Sequence, residues 1–269
     1  MFDWTLYFSG LLITSLLLLL TWTVSLFKHD VSIVDSTWSL MFLGMALVYA
    51  LLPGELSARG TLMLVLVVAW ALRLSVYITW RNWGEGEDRR YQAMRRNHQP
   101  GFTFKSLYLV FGLQGLLAWF ISLPLLAAAT GAAPLGMLDA VAVLVWATGF
   151  AFESIADAQL AAFKARAANR GKVLDTGLWR YTRHPNYFGE CLIWWGFYLL
   201  ALAAGGWWAL PAPLLMTFLL LRVSGVALLE RDISERRPTY RDYARTTNAF
   251  LPGPRKTTPA TRACHGGTP

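Results

Sequence analysis

Long apolar runs alternate with short polar ones through most of the chain. The apolar runs lie at roughly 5–27, 32–52, 61–80, 106–130, 137–156, 188–204 and 208–228. A helix needs about 20 such residues to cross the hydrocarbon core of a bilayer. The pattern therefore predicts an all-α integral membrane protein with seven transmembrane helices. The sixth and seventh runs divide at "GGWW". The first run begins "MFDWTLYFSG", with Asp3 and no Lys or Arg. It is also longer than the apolar segment of a signal peptide, so it reads as a retained helix.

Composition supports the membrane reading. Of the 269 residues, 55% are hydrophobic and only 15% charged, with a mean hydropathy of +0.41. Soluble domains carry about 25% charged residues. The net charge of +8 and pI near 9.7 would raise nucleic acid as a partner of a soluble chain. Here the charges sort by side instead. Of the 24 Lys and Arg residues, 21 fall in 28–31, 81–105, 157–187 and the segment from 230. Among the segments on the other side, only Arg59 is basic. Positive charge collects on the cytoplasmic side, which predicts an outer N-terminus, a cytoplasmic C-terminus and no nucleic-acid partner. Scattered cations such as Arg95, Arg96 and Arg262 read as topology. Cys191 and Cys264 suggest neither a disulfide framework nor a metal site.

Charges inside spans are costly, and they face cavities or one another. With this sidedness, Asp35, Arg73, Glu153, Glu190 and Arg222 all fall in the cytoplasmic half of their spans, and Asp157 follows Glu153 by one turn. That distribution predicts a pocket open to the cytoplasm and floored by apolar side chains, unlike the full-depth polar path of a transporter. Arg73, Tyr77 and Arg81 share one helix face, as do Glu153 with Asp157 and Asn186 with Glu190. The three faces are expected to converge on one ligand.

The segment "GLWRYTRHPNYFGE", residues 177–190, is unusually polar for the flank of an apolar helix. Pro185 suits the first position of that helix, which sets Asn186 and Glu190 on its opening turns. Loop 81–105, with "RNWGEGEDRRYQAMR", is similarly mixed. Arginine binds phosphate through paired N–H groups; amides, carboxylates and aromatic rings suit ribose and flat bases. The inventory fits a nucleotide-containing cofactor. There is no G-x-G-x-x-G, no P-loop and no H-E-x-x-H.

The run "GLWRYTRHPNYFGECLIWWG" resembles the C-terminal signature of the steroid 5α-reductase family, in particular its bacterial membrane branch. "FESIADAQLAAFK", "RNWGEGEDRRYQAMR" and "VSGVALLERDISERRPTYRDYARTTNAFLP" are similar to further parts of that branch. The likeness extends from about residue 31 to 252. It implies a single seven-helix domain over 1–252 in a bacterial inner membrane, reducing the carbon–carbon double bond of a 3-oxo-Δ4 steroid or related enone lipid with NADPH. The substrate would enter from the lipid. Cytosolic segments 81–105, 157–187 and 230–252 would cap the cofactor, and 253–269, rich in Pro, Gly and Thr, would be a disordered tail.

By the same resemblance, Asp157, Lys164, Asn186 and Glu190 hold the cofactor. Arg81, Asp88, Arg89, Tyr91, Arg180, Tyr181, Arg183, His184 and Tyr187 join them from neighbouring cytosolic segments, with Arg73 and Arg222 matched more loosely. The family holds the substrate carbonyl with a Gln/Glu pair on its second helix and a Tyr on its third. This chain offers Asp35 and Tyr77 there, with Trp38 and Trp70 against the substrate. A related group, the isoprenylcysteine and phospholipid methyltransferases, shares an R-H-P-x-Y-x-G run and binds S-adenosylmethionine. That is the alternative reading.

Overall fold

The computed structural model describes residues 2–223 and 239–256. Among them the chain is helical throughout, with no strand beyond one isolated parallel bridge between Thr182 and Asn248. The helices are α1 (Trp4–Lys28), α2 (Ile33–Leu51), α3 (Ala58–Arg81), α4 (Arg89–Asn97), α5 (Phe102–Thr130), α6 (Met137–Ala165), α7 (Pro185–Ala203), α8 (Trp207–Val223) and α9 (Tyr240–Thr246). Five of these, α1, α2, α3, α5 and α6, are long and apolar enough to cross a membrane. Helix α7 has 19 residues, but its first two turns carry Asn186, Tyr187 and Glu190, which lower its hydropathy. Helix α8 reaches Val223, and the rest of the expected seventh span lies outside the described residues. Residues 257–269 of the expected tail lie outside them as well.

The chain forms two compact units, Met1–Ala142 with Phe197–Ala212, and Val143–Gly196 with Pro213–Pro269. In the first unit α2 is central and packs on α1, α3 and α5. Two serines stitch it to α3: Ser39 Oγ donates to the Ala71 carbonyl and Ser75 Oγ to the Ser36 carbonyl, each at 2.8 Å. Such short hydroxyl bonds hold helices together where no hydrophobic drive separates protein from lipid. Deeper in the unit the buried Tyr49 hydroxyl meets Ser122 Oγ at 3.0 Å. Helix α5 departs from regular geometry twice. Residues Leu107–Gly112 are π-helical, and the helix breaks at Ser122, two residues before Pro124, whose ring nitrogen has no hydrogen to continue the ladder.

The ends of α3 and α6 remote from the basic loops are locked by a buried ion pair. Arg59, in the first turn of α3, grips Asp139, in the first turn of α6, through both carboxylate oxygens at 2.7 and 3.0 Å. Its remaining donors reach the Ala133 and Pro134 carbonyls, both at 3.0 Å. Both side chains are almost fully buried.

In the second unit α6 continues past the expected limit of its span to Ala165, so Asp157 and Lys164 stand on a helix. The segment after it is held from both sides. Trp179 Nε1 donates to the Ala156 carbonyl at 3.1 Å, and the Leu178 amide to Gln159 Oε1 at 3.0 Å. From the other side comes residues 240–256, where the Gly253 amide reaches the Tyr181 carbonyl at 3.0 Å and Thr182 Oγ1 the Phe250 carbonyl at 2.8 Å.

Candidate functional site

The predicted site residues gather into two clusters, one in each unit. In the second unit, helices α6 and α7 meet at a glycine pair. A β-carbon on Gly189 would lie 2.5 Å from the Glu153 amide nitrogen and the Gly149 carbonyl oxygen; one on Gly149 would lie 2.6 Å from the Gly189 carbonyl oxygen. The absence of side chains lets the two backbones touch. Close approach brings the polar turns on either side together, and Asn186 Nδ2 donates to Asp157 Oδ1 at 3.3 Å. Glu190, one turn further along α7, accepts from Trp194 Nε1 at 3.1 Å. Glu153, Asp157 and Glu190 are all buried. Two of the three expected polar faces therefore meet.

Lys164 extends the Asp157 face by two turns and is exposed, as are Arg180, Tyr181 and Arg222. His184 is buried, with its ring stacked almost parallel to Tyr187 at 5.6 Å. Arg183 donates from Nη1 to the Ala244 and Thr247 carbonyls at 2.7 and 3.0 Å, and from its amide to the Asn248 carbonyl at 2.9 Å. The resemblance places this arginine with the cofactor; these bonds also tie the segment before α7 to the C-terminal residues. Tyr243 reinforces the tie, its hydroxyl donating to the Trp179 carbonyl at 2.5 Å.

The third face, Arg73, Tyr77 and Arg81, belongs to the first unit. The two guanidinium groups flank the Tyr77 ring, with their carbons 6.0 and 5.8 Å from its centroid. Asp35 lies at the start of α2, near the level where Ser36 receives Ser75. The expected loop 81–105 contains helix α4 here. Asp88 caps it by accepting from the Arg90 amide at 2.9 Å, and its buried Tyr91 reaches Asp35 Oδ1 at 2.6 Å. Arg90 Nη2 takes the other oxygen, Oδ2, at 2.7 Å, and Gln114 donates to the Tyr91 hydroxyl at 3.0 Å. Burial, followed by the charge and hydrogen bond of Asp35, pushes the Tyr91 phenol well above its ordinary range. Arg89 is exposed on the far side of α4.

Trp38 and Trp70 are linked through Phe42: Trp38 packs edge-on to Phe42 at 5.3 Å and Phe42 edge-on to Trp70 at 5.7 Å. Trp70 is completely buried and Trp38 half-buried.

Sequence reasoning missed Gly149 and Gly189 as the contact that positions the polar turns. Their only signal was glycine within otherwise apolar helices. It also passed over Asp139, at the opposite end of α6 from Glu153 and Asp157, and over Gln114 and Tyr243, whose partners are distant in sequence.

These features define an all-helical protein of the membrane class, with charged and amide side chains assembled at helix ends. The chain belongs to the family described as "Protein of unknown function (DUF1295)", whose model matches residues 21–247. It is also 27% identical over 281 residues to an uncharacterized protein of Schizosaccharomyces pombe, the match covering 90% of this chain and 78% of that protein. No solved structure matches it.

Proposed function

We propose that this protein is a membrane-embedded reductase that uses NADPH to saturate the carbon–carbon double bond of an enone lipid. A 3-oxo-Δ4 steroid, converted to its 5α-dihydro product, is the substrate class we favour. The family to which the chain belongs is steroid 5α-reductase-like. The observation that carries the reading is the Asn186–Asp157 hydrogen bond beside buried Glu190. Three residues assigned to the cofactor by motif likeness, on faces their spacing already set toward one ligand, lie on adjoining turns of two touching helices.

The donor set fits a nicotinamide dinucleotide. Buried carboxylates and an amide offer partners for ribose hydroxyls and a carboxamide, while exposed Lys164 and Arg180 offer charge for phosphates. NADPH would supply the hydride. Tyr77 is the donor we assign to the substrate carbonyl, where negative charge develops. Asp35 would act through the Arg90 and Tyr91 side chains it orients, with Trp38 lining the apolar approach and Trp70 behind it. In this reading the chain has seven spans, an outer N-terminus and its cofactor on the cytoplasmic face of a bacterial inner membrane.

The test is a thermal titration of the detergent-purified protein with NADPH and, separately, with S-adenosylmethionine. A ligand at 100 times its Kd stabilises by about 2.7 kcal/mol, which is readily resolved. NADPH is expected to raise the midpoint, and Asn186→Ala and Glu190→Gln to abolish that rise. A response to S-adenosylmethionine alone replaces the reductase reading with a methyltransferase. NADPH oxidation in the presence of progesterone or testosterone then tests the substrate class.

A further inference from the structure

We propose that the outward face of α4 is a binding surface for the headgroups of anionic phospholipids. The helix carries two arginine pairs, Arg89–Arg90 and Arg95–Arg96, and each pair divides between its two sides. Arg90 pairs with Asp35 at 2.7 Å and Asp88 at 3.0 Å; Arg95 pairs with Glu87 at 2.7 Å. These contacts occupy Arg90, itself partly exposed, and Arg95, together with the acids nearest them. Arg89 and Arg96 are both exposed. They are seven residues apart, which returns them to one face of the helix about 10 Å apart along its axis. Tyr91, the buried anchor, is on the opposite side. The acid left in solvent nearby is Glu85, four residues before Arg89.

The depth of α4 is fixed by its attachments. Glu87 accepts from the Val31 amide at 3.0 Å, just beyond the end of α1. Lys105 Nζ, in the first turn of α5, donates to the His98 carbonyl at 3.2 Å, just beyond the end of α4. The Arg95 guanidinium carbon sits 4.9 Å from the centre of the Phe102 ring. Helix α4 thus lies level with the ends of two apolar helices. Exposed aromatics mark the same level: Phe27 at the end of α1, Trp80 and Trp83 at and after the end of α3, and Phe104 at the start of α5. Aromatic side chains at helix ends mark the headgroup layer of a bilayer. Lys28 and Lys105 add charge beside two of them. An outward pair of arginines in that layer meets lipid phosphate, and each basic residue near an anionic surface contributes about fivefold in affinity.

The experiment uses the full chain in mild detergent, its thermal midpoint followed while phosphatidylglycerol, phosphatidylcholine or inorganic phosphate is added. Phosphatidylglycerol is expected to raise the midpoint; the other two are expected to leave it unchanged. Arg89→Gln/Arg96→Gln should weaken the phosphatidylglycerol response by roughly 30-fold in lipid concentration, while Arg89→Lys/Arg96→Lys retains it. Arg241→Gln/Arg245→Gln, which removes two exposed charges from α9, should also retain it. The proposal is overturned if the glutamine pair responds like the parent, if the lysine pair loses the response, or if the α9 pair loses as much as the α4 pair. An equal response to inorganic phosphate overturns it too. None of these outcomes depends on NADPH.

Discussion

Tyr91 donates its phenolic proton to Asp35 across 2.6 Å, and that contact fastens a surface helix to a membrane helix. The same hydroxyl accepts from Gln114, so α2, α4 and α5 meet at one oxygen atom. Tyr91→Phe keeps the ring and removes the junction. It leaves Gln114 and one Asp35 oxygen short of a partner, at an expected cost of about 1–3 kcal/mol. The variant should show a lower thermal midpoint and faster proteolysis within 81–101. An unchanged midpoint would mean that the ring alone holds α4.

The N-terminal end of the same helix should respond to acid. Burial alone would raise the Glu87 carboxyl, but hydrogen bonds from Arg95 and the Val31 amide, with the Arg95 charge, outweigh it and hold the group below its usual value. Asp88 is held low in the same way by Arg90. A carboxyl whose folded pKa is depressed stabilises the fold above its unfolded value, and that contribution is lost as pH falls through the folded value. Protection of 85–98 from hydrogen exchange should therefore be full at pH 7 and decline below about pH 4. In Glu87→Gln the protection should be lower at pH 7, and its difference from the parent should shrink as the pH drops.

Much of this arrangement was legible in the pattern of apolar runs. The membrane-length helices of the first unit, α1, α2, α3 and α5, fall where those runs lie, because 20 apolar residues in a row leave few alternatives to a helix buried in lipid or protein. Pro185 does begin α7, and Asn186 and Glu190 do stand on its opening turns. What escaped was set by contacts between distant residues. Helix α4 is short and polar, and it is sited by Asp35, 56 residues before its Tyr91. Nothing local to Arg183 announces that it also donates to carbonyls more than 60 residues later.

The contact of α6 with α7 gives a sharper test of the candidate cofactor site. In Gly189→Ala the added methyl would overlap the Gly149 carbonyl and the Glu153 amide, both backbone atoms with little freedom to yield. The helices must separate, at a cost of about 1–3 kcal/mol, and Asn186 is carried away from Asp157. NADPH-dependent stabilisation should fall steeply, although no side chain assigned to the cofactor has changed. Gly136→Ala, at a position with open space around it, should preserve it. Equal NADPH responses in Gly189→Ala and the parent would separate the helix contact from the site.

The Arg59–Asp139 pair offers the largest expected loss of stability. Both groups are nearly inaccessible, and Arg59 spends its remaining donors on two carbonyls of the loop before α6. Asp139→Ala leaves a buried guanidinium without its counter-charge, a situation that costs about 3–5 kcal/mol. Arg59→Met/Asp139→Leu removes both charges and fills much of the space, so it should be far less damaging than either charge lost alone. Thermal unfolding of Arg59→Met, Asp139→Leu and the variant that combines them completes the cycle. The double variant should unfold above both single variants. If the losses simply add, the two residues act separately and the ion pair does not lock α3 to α6.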